Sequence, residues 1–168
     1  MKNKNILTIL CLVLCVSVVG CTDVRKEYYE SGKLKRESTF KNDKQEGSSK
    51  IYYESGALKS EFHYKNVKLE GPCKDYYESG TLRGDFNFKN DNLEGREKTY
   101  YKSGALQTEG ISKNGKPEGP YKMYYESGKL KEEVIFRNGQ MEGPAKIYNE
   151  NGALLSESNY KNDKKEGP

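Results

Sequence analysis

The sequence predicts an all-β protein, an elongated single-layer antiparallel meander of about six 24-residue β-hairpin repeats. Three observations predict this fold: a fixed period, two strand-like stretches in each unit, and turn residues between them. The period is visible in two glycine columns without insertion or deletion: Gly32, Gly56, Gly80, Gly104, Gly128 and Gly152, then Gly47, Gly71, Gly95, Gly119, Gly143 and Gly167. Fixed-period self-similarity is the signature of a repeat array, in which each unit contacts its neighbours.

The first twenty residues are a different kind of segment. A short basic start is followed by an apolar run over 6–19, which is shorter than the ~20 residues that a bilayer-spanning helix needs and is typical of a secretory signal. The run ends in Val18-Val19-Gly20-Cys21, which resembles a bacterial lipobox. That resemblance implies cleavage before Cys21 and attachment of a palmitate-type acyl lipid to its sulfur. The alternative is an ordinary cleaved signal with no lipid on Cys21. We therefore predict a lipoprotein signal peptide over 1–20, a lipidated cysteine and short tether over 21–25, and the repeat array over 26–168.

Each repeat contains two stretches with β-type residues and turn chemistry between them. In the unit 50–71, Ser55-Gly56 follows the first stretch, and glycine there is free to take positive φ. The second stretch ends at an asparagine turn. In two other units the turn sequence is Asn-Gly, a strong hairpin signal. Alternation along the second stretch places leucine and aromatic residues on one face and charged residues on the other.

The charged face carries a column of carboxylates beside a column of lysines. The acidic column is Glu37, Glu61, Asp85, Glu109, Glu133 and Glu157, and the lysine column is Lys26, Lys50, Lys74, Lys98, Lys122 and Lys146. Repeats place these carboxylates about 10 Å apart, two strand spacings, whereas one calcium ion needs oxygen ligands at about 2.3–2.6 Å around a single centre. We expect a solvated surface with weak cross-strand pairs and no metal site.

Several function classes are disfavoured by the residues. The single histidine, His63, has no partner in the pattern that would make it a general base, and no nucleophile motif or phosphate-binding loop appears, so we expect no enzyme and no cofactor. Lysines alternate with glutamates and the net charge is only +4, which disfavours nucleic-acid binding. Cys73 lies in a column of unrelated residues, so a redox role is not expected.

One unit carries a family resemblance. Residues 124–133, together with Asn138-Gly139 and Glu142-Gly143-Pro144, resemble a consensus unit of the MORN repeat variant, which makes up proteins called YwqK-like antitoxins. The resemblance covers about residues 25–168 and implies a meander of β-hairpins linked to protein scaffolding or membrane association. An antitoxin of the cytoplasm needs no export, so the lipobox favours an envelope role.

We therefore expect a lipid-anchored protein of the bacterial cell envelope that acts as a protein-binding scaffold. Thr22 after the cysteine points to the outer membrane or the cell surface, with the membrane reached through the lipid on Cys21. The alternatives are an antitoxin or immunity-type inhibitor of a toxin, and a cell-wall or glycan-binding module. Tyrosine buries a large area at low entropic cost. The candidate binding residues are Tyr29, Tyr53, Tyr77, Tyr101 and Tyr125, although this row would equally serve to hold the thin sheet together.

Overall fold

A computed structural model describes residues 21–167 of the chain, and this part is entirely β-strand and turn. Each repeat contributes one eight-residue strand and, after its turn, a second segment. This segment is continuous in the first unit, divided in two in the next four units, and a single two-residue strand in the last. The strands are β1 (Thr22–Tyr28), β2 (Leu34–Lys41), β3 (Lys44–Tyr52), β4 (Leu58–Lys65), β5 (Lys68–Leu69), β6 (Gly71–Tyr76), β7 (Leu82–Lys89), β8 (Asn92–Leu93), β9 (Gly95–Tyr100), β10 (Leu106–Lys113), β11 (Lys116–Pro117), β12 (Gly119–Tyr124), β13 (Leu130–Arg137), β14 (Gln140–Met141), β15 (Gly143–Tyr148), β16 (Leu154–Lys161) and β17 (Lys164–Lys165).

The strands form one open antiparallel sheet in which each long strand pairs with its neighbours in the chain. The register advances by one repeat at a time: Glu61 of β4 lies opposite Lys50 of β3 on one side and opposite Lys74 of β6 on the other. The predicted single-layer meander of six repeats is confirmed. Because all pairings are local, equivalent side chains form straight rows across the sheet.

Two different turns alternate along the two sides of the sheet. At the first, the Gly56 N–H donates to the Tyr53 carbonyl and the Tyr53 N–H donates to the Ala57 carbonyl, with Gly56 at φ +94°. A type I turn followed by a left-handed glycine has this hydrogen-bond pattern. At the second, two consecutive residues take positive φ, as in a type I′ turn, and Val67 at +67° is the most strained of them because it is β-branched.

The second glycine column produces a bulge that the sequence did not predict. Gly71 takes φ +86°, and the Glu70 N–H before it donates to the His63 carbonyl, which divides the segment into the short β5 and the longer β6. The same bond recurs in the later repeats. Pro72 follows the bulge at the start of β6, a place where a missing N–H is tolerated.

The sheet has almost no core. Among the described residues, the buried ones are Val134, Ala145, Gly84, Ser38, Ser49, Ser60 and Ser112. Aromatic rings on the same face pack over small neighbours: a Cβ added to Gly84 would clash with the Phe86 ring, and one added to Gly110 would clash with the Tyr121 ring. On this face of the sheet, large aromatic side chains therefore cover the positions of small residues.

The start of the array differs from its predicted boundary. The segment 21–25 was expected as a tether, but β1 begins at Thr22, where it pairs with Lys41, and continues through Asp23 opposite Phe40. The reason is that β2 runs for eight residues, and its far end pairs only if β1 extends back to Thr22. Residues 1–20, the predicted signal peptide, lie outside the described residues.

Candidate functional site

The five tyrosines predicted as binding residues all connect one repeat to the next. Each side chain is half-buried, and each hydroxyl donates to the backbone carbonyl of the residue 23 positions further along the chain at 2.6–2.8 Å. The bonds run from Tyr29 to Tyr52, Tyr53 to Tyr76, Tyr77 to Tyr100, Tyr101 to Tyr124 and Tyr125 to Tyr148. Their hydroxyls therefore serve the fold, and their role in binding stays a prediction.

Lysine ammonium groups also lie over several of these rings. Lys35 lies 5.7 Å from the Tyr29 ring centre, and Lys59 lies 5.5 Å from that of Tyr53. Lys131 covers Tyr125 in the same way at 5.6 Å. Such cation–π contacts occupy a ring face that a ligand would otherwise use. Tyr77 and Tyr101, whose repeats carry arginine and glutamine at the lysine position, have no such contact within residues 21–167.

The other tyrosine row connects each repeat to the preceding one. The hydroxyls donate to carboxylates of the acidic column, from Tyr52 to Glu37 (2.8 Å), Tyr76 to Glu61 (2.7 Å), Tyr124 to Glu109 (2.7 Å) and Tyr148 to Glu133 (3.2 Å). Burial first, and the carboxylate second, raise the pKa of Tyr52, Tyr76 and Tyr124 to about 12. The hydrogen bond from Tyr124 is in turn the main reason that the pKa of Glu109 is lowered.

The acidic column has one shorter member, and the bond is missing there. Asp85 stands where the other repeats carry glutamate, and the Tyr100 hydroxyl makes no hydrogen bond with any described residue. Aspartate is one methylene shorter than glutamate, so its carboxylate does not reach the hydroxyl. Of the Lys–Glu pairs predicted across the sheet, Lys98–Glu109 at 3.7 Å and Lys146–Glu157 at 3.6 Å are in contact.

A third set of contacts, which the sequence reading missed, connects the type I′ turns. The turn asparagine N–H donates to a glutamate of the preceding repeat at 2.6–3.1 Å, in the pairs Asn66–Glu46, Asn90–Glu70, Asn114–Glu94, Asn138–Glu118 and Asn162–Glu142. Two unbroken columns of asparagine and glutamate, 20 residues apart, are the sequence signal that would have revealed it.

The remaining chemical candidates show no catalytic arrangement. His63 is exposed on the sheet, and its ring makes no hydrogen bond within residues 21–167. Burial raises the pKa of the Cys73 thiol to about 11, so that this thiol is protonated and weakly nucleophilic at neutral pH. Among residues 21–167, no three His, Cys, Asp or Glu side chains are grouped closely enough to hold a metal ion.

An apolar stripe interrupts the charged face in the second half of the array. Ile111 and Ile135 are 43% and 39% exposed, and two exposed prolines, Pro120 and Pro144, lie on the adjoining strands. Pro120 pairs directly with Ile135 across β12 and β13. In the other repeats, the isoleucine column carries only polar residues, Thr39, His63, Asn87 and Asn159, and the proline column carries Ser48, Pro72, Arg96 and Pro168. Exposed isoleucines beside the prolines are therefore a local feature of these two repeats and not a property of every repeat.

A shallow depression adjoins this stripe at β9, β10 and β12. Its lining combines Ile111 and Pro120 with three cationic side chains, Arg96, Lys98 and Lys122. The one carboxylate there, Glu109, already accepts from Tyr124 and lies beside Lys98. An apolar patch of this kind with a cationic border is suited to a partner surface that offers apolar side chains beside carboxylates.

The predicted lipidation residue lies at the edge of the sheet. Cys21 is exposed directly before β1, and its carbonyl accepts the Asn42 N–H at 3.2 Å. Over the described part of the chain, no helix is long and apolar enough to span a membrane.

Comparison with known proteins identifies the repeat. No curated protein matches the chain. A solved structure, the crystal structure of the GtfA/B complex bound to UDP and GlcNAc, has a TM-score of 0.29 and 9% identity over 68% of this chain, which spans only 22% of that one. The profile of the MORN repeat variant matches six segments: 24–42, 45–66, 69–90, 93–114, 117–138 and 141–162. These segments follow the structural repeats through most of the chain, which therefore belongs to the MORN repeat variant family.

Proposed function

We propose that this protein is a lipid-anchored envelope scaffold that binds another protein through the apolar stripe and its cationic border. MORN repeats are commonly protein- or membrane-binding modules, and their all-β fold is typically non-catalytic. The observation that carries the proposal is the exposed contact between Pro120 and Ile135 beside Ile111, on a face that is otherwise charged. Exposed apolar patches with a polar border mark interaction sites on soluble folds.

The chemistry of the depression supports a partner with an acidic surface. The lining of the depression contains three cationic side chains and one carboxylate, which already accepts a hydrogen bond, so positive charge is in excess there. Complementary charge speeds association and orients the partner, while apolar contact supplies most of the affinity. The hydroxyls of the predicted tyrosines are used between repeats, so these residues would contribute through their rings alone.

The partner site is tested with substitutions that other repeats already contain. Asparagine occupies the Ile111 and Ile135 column at Asn87 and Asn159, so Ile111→Asn with Ile135→Asn removes the stripe with a residue that the fold accepts. The matched control is His63→Asn, in the same column of an earlier repeat. Full-length tagged chains are purified from envelope extracts after cross-linking, and bound proteins are identified by mass spectrometry.

We expect a protein that is retained by the wild type and by the control but lost from the double variant. Equal retention by all three would contradict the site. A retained protein that is toxic when produced alone would identify the scaffold as an immunity-type inhibitor. Retention of cell-wall fragments instead of protein, with competition by free sugars, would favour the glycan-binding alternative.

The lipid anchor is tested separately at Cys21. The supporting observations are the lipobox-like residues 18–21 and the exposed position of Cys21 beside the first strand. Cys21→Ser is expected to abolish labelling by a clickable palmitate analogue and to release the chain from the membrane fraction. Cys73→Ser is the matched control, and labelling that is lost in that variant instead would contradict the assignment.

A further inference from the structure

The two ends of the array present strand edges that are unpaired among the described residues. β1 pairs only with β2, and the stretch 154–159 of β16 pairs only with β15. An unpaired edge exposes a row of N–H and C=O groups that accepts another strand. The edges differ in composition, because β1 is charged at Arg25, Lys26 and Glu27, whereas β16 alternates serine with other residues.

The internal register shows which strand would fit the edge of β16. Within the array, Glu133 of β13 lies opposite Lys146 of β15, and Glu132 lies opposite Ile147. One period later, Glu157 of β16 occupies the position of Glu133. At the other end of the array, β1 carries the first member of the lysine column, Lys26. A second copy of this chain that continues the sheet would place its Lys26 opposite Glu157 and its Glu27 opposite Ser156.

The side chains at these positions match contacts already made inside the array. Ser60 donates to the Asp75 carboxylate at 2.6 Å, and Ser156 and Glu27 occupy the same two columns. Tyr76 donates to Glu61 at 2.7 Å, and the corresponding pair is Tyr28 with Glu157. Tyr28 is 47% exposed, and its hydroxyl has no partner within residues 21–167.

Size also matches across the two edges. Inside the array, Gly110 leaves room for the Tyr121 ring of the next strand. The corresponding columns at the ends bring the small Ser158 opposite the long Arg25. At the same end, Leu154 is 50% exposed, although the leucines of its column in the preceding repeats are half-buried. A further strand against β16 would cover it.

We infer that copies of this chain associate head to tail, with β16 of one copy pairing with β1 of the next. This contact is heterologous, so it produces chains of molecules rather than closed dimers unless the rotation closes a ring. The charges of β1 restrict the partner strand, because Lys26 and Glu27 require the complementary Glu157 and Ser156. The inference is independent of the proposed partner site, which lies on the face of β10–β15 and not at an edge.

The test is disulfide cross-linking of the full-length chain in bacterial envelopes. In a Cys73→Ser background, Lys26→Cys with Glu157→Cys places two thiols directly opposite each other across the inferred contact. Opposed Cβ atoms in antiparallel strands lie about 4.5–5.5 Å apart, close to the separation of about 3.5–4.5 Å in disulfides. We expect a ladder of covalent dimers and larger species after mild oxidation, which the Cys73→Ser parent lacks.

Three controls make either outcome informative. Glu133→Cys with Lys146→Cys, which has the same register inside one chain, must form an intramolecular disulfide and so shows that the geometry permits the bond. Val24→Cys with Glu157→Cys is out of register and should give no ladder. Two chains with different tags, one carrying only Lys26→Cys and the other only Glu157→Cys in the Cys73→Ser background, are produced together and should give mixed dimers only. Absence of the ladder while the internal control reacts would overturn the inference. Self-dimers of a chain with only one of the two added cysteines, in an amount equal to the mixed dimers, would overturn it as well.

Discussion

The two tyrosine rows connect the repeats in opposite directions and through different kinds of acceptor. The row that includes Tyr53 and Tyr77 donates forward to a backbone carbonyl, whereas the row that includes Tyr52 and Tyr76 donates back to a side-chain carboxylate. The forward bond is present in all five repeats that carry the donor. The backward bond is missing at Tyr100, where the acceptor is an aspartate.

This difference shows how a thin sheet tolerates sequence variation. A carbonyl acceptor is supplied by any residue, so the forward bond depends only on the tyrosine and on the backbone register. A carboxylate acceptor depends on the length of one side chain, so the backward bond is lost with a single methylene. Since the sheet has almost no buried core, bonds between repeats carry a larger part of its cohesion than they would in a globular domain.

The largest expected effect is an alkaline loss of stability through the backward row. The pKa values of Tyr52, Tyr76 and Tyr124 are raised to about 12 in the folded chain, above the usual value of 10.0. Because these pKa values are raised on folding, the contribution of the protonated tyrosines to the free energy of unfolding is fully present below pH 10 and is lost as the pH rises towards 12. Thermal midpoints from pH 9 to pH 12, with tyrosinate absorbance recorded in parallel, measure it.

A matched variant separates this effect from general alkaline unfolding. Replacing all three tyrosines by phenylalanine removes the ionising groups and should flatten the fall in the thermal midpoint between pH 10 and pH 12, although the variant starts from lower stability. A fall of unchanged size in the variant would show that other groups are responsible.

The second effect concerns the forward row. Tyr77→Ala removes a half-buried ring and its bond to the Tyr100 carbonyl, and because truncation of fully buried aromatics costs about 3–5 kcal/mol, we expect a cost of about 2 kcal/mol here. Tyr77→Phe keeps the ring and should cost about 1 kcal/mol, the net value of a hydrogen bond. Urea denaturation measures both, and equal costs for the two variants would show that the ring contributes nothing.

The sequence predicted the parts of this architecture that are local. The turn glycines, the alternation along the strands and the 24-residue period were sufficient to predict the meander and its neighbour-to-neighbour pairing. The hydroxyl partners could not be predicted, because Tyr53 reaches a carbonyl 23 residues away and Tyr52 a carboxylate 15 residues away, and these separations become contacts only when the register is known. The bulge at Gly71 was missed because the second glycine column was used only as evidence of the period.

The apolar stripe was missed for a related reason. Ile111 and Ile135 lie in a column of otherwise polar residues, and Pro120 lies in a different column, so neither column alone suggests a patch. The bulge at Gly119 and the pairing of Pro120 with Ile135 bring the two columns together. Differences between repeats, rather than their consensus, therefore indicate the candidate site.

A smaller effect distinguishes the repeats within the backward row. Tyr76→Phe removes a bond to Glu61 and should cost about 1 kcal/mol in the free energy of unfolding. Tyr100→Phe removes a hydroxyl that has no partner among the described residues, so we expect a change close to zero. Denaturation curves of the two variants side by side make this comparison, and equal losses would show that Tyr100 finds its carboxylate in solution.

The smallest expected effect is a gain in stability, produced by restoring the hydrogen bond that is missing at Tyr100. Asp85→Glu restores the side-chain length found in the other repeats and should allow the Tyr100 hydroxyl to donate to the new carboxylate, with a stabilisation of about 0.5 kcal/mol, the lower end for a net hydrogen bond. The gain must disappear in the background of Tyr100→Phe, because the donor is then absent. A double-mutant cycle over Asp85→Glu and Tyr100→Phe measures that coupling. A gain that persists without the hydroxyl would come from strand propensity or from Lys74 and Lys98 on either side. The longer side chain would then stabilise the sheet without a hydrogen bond between repeats.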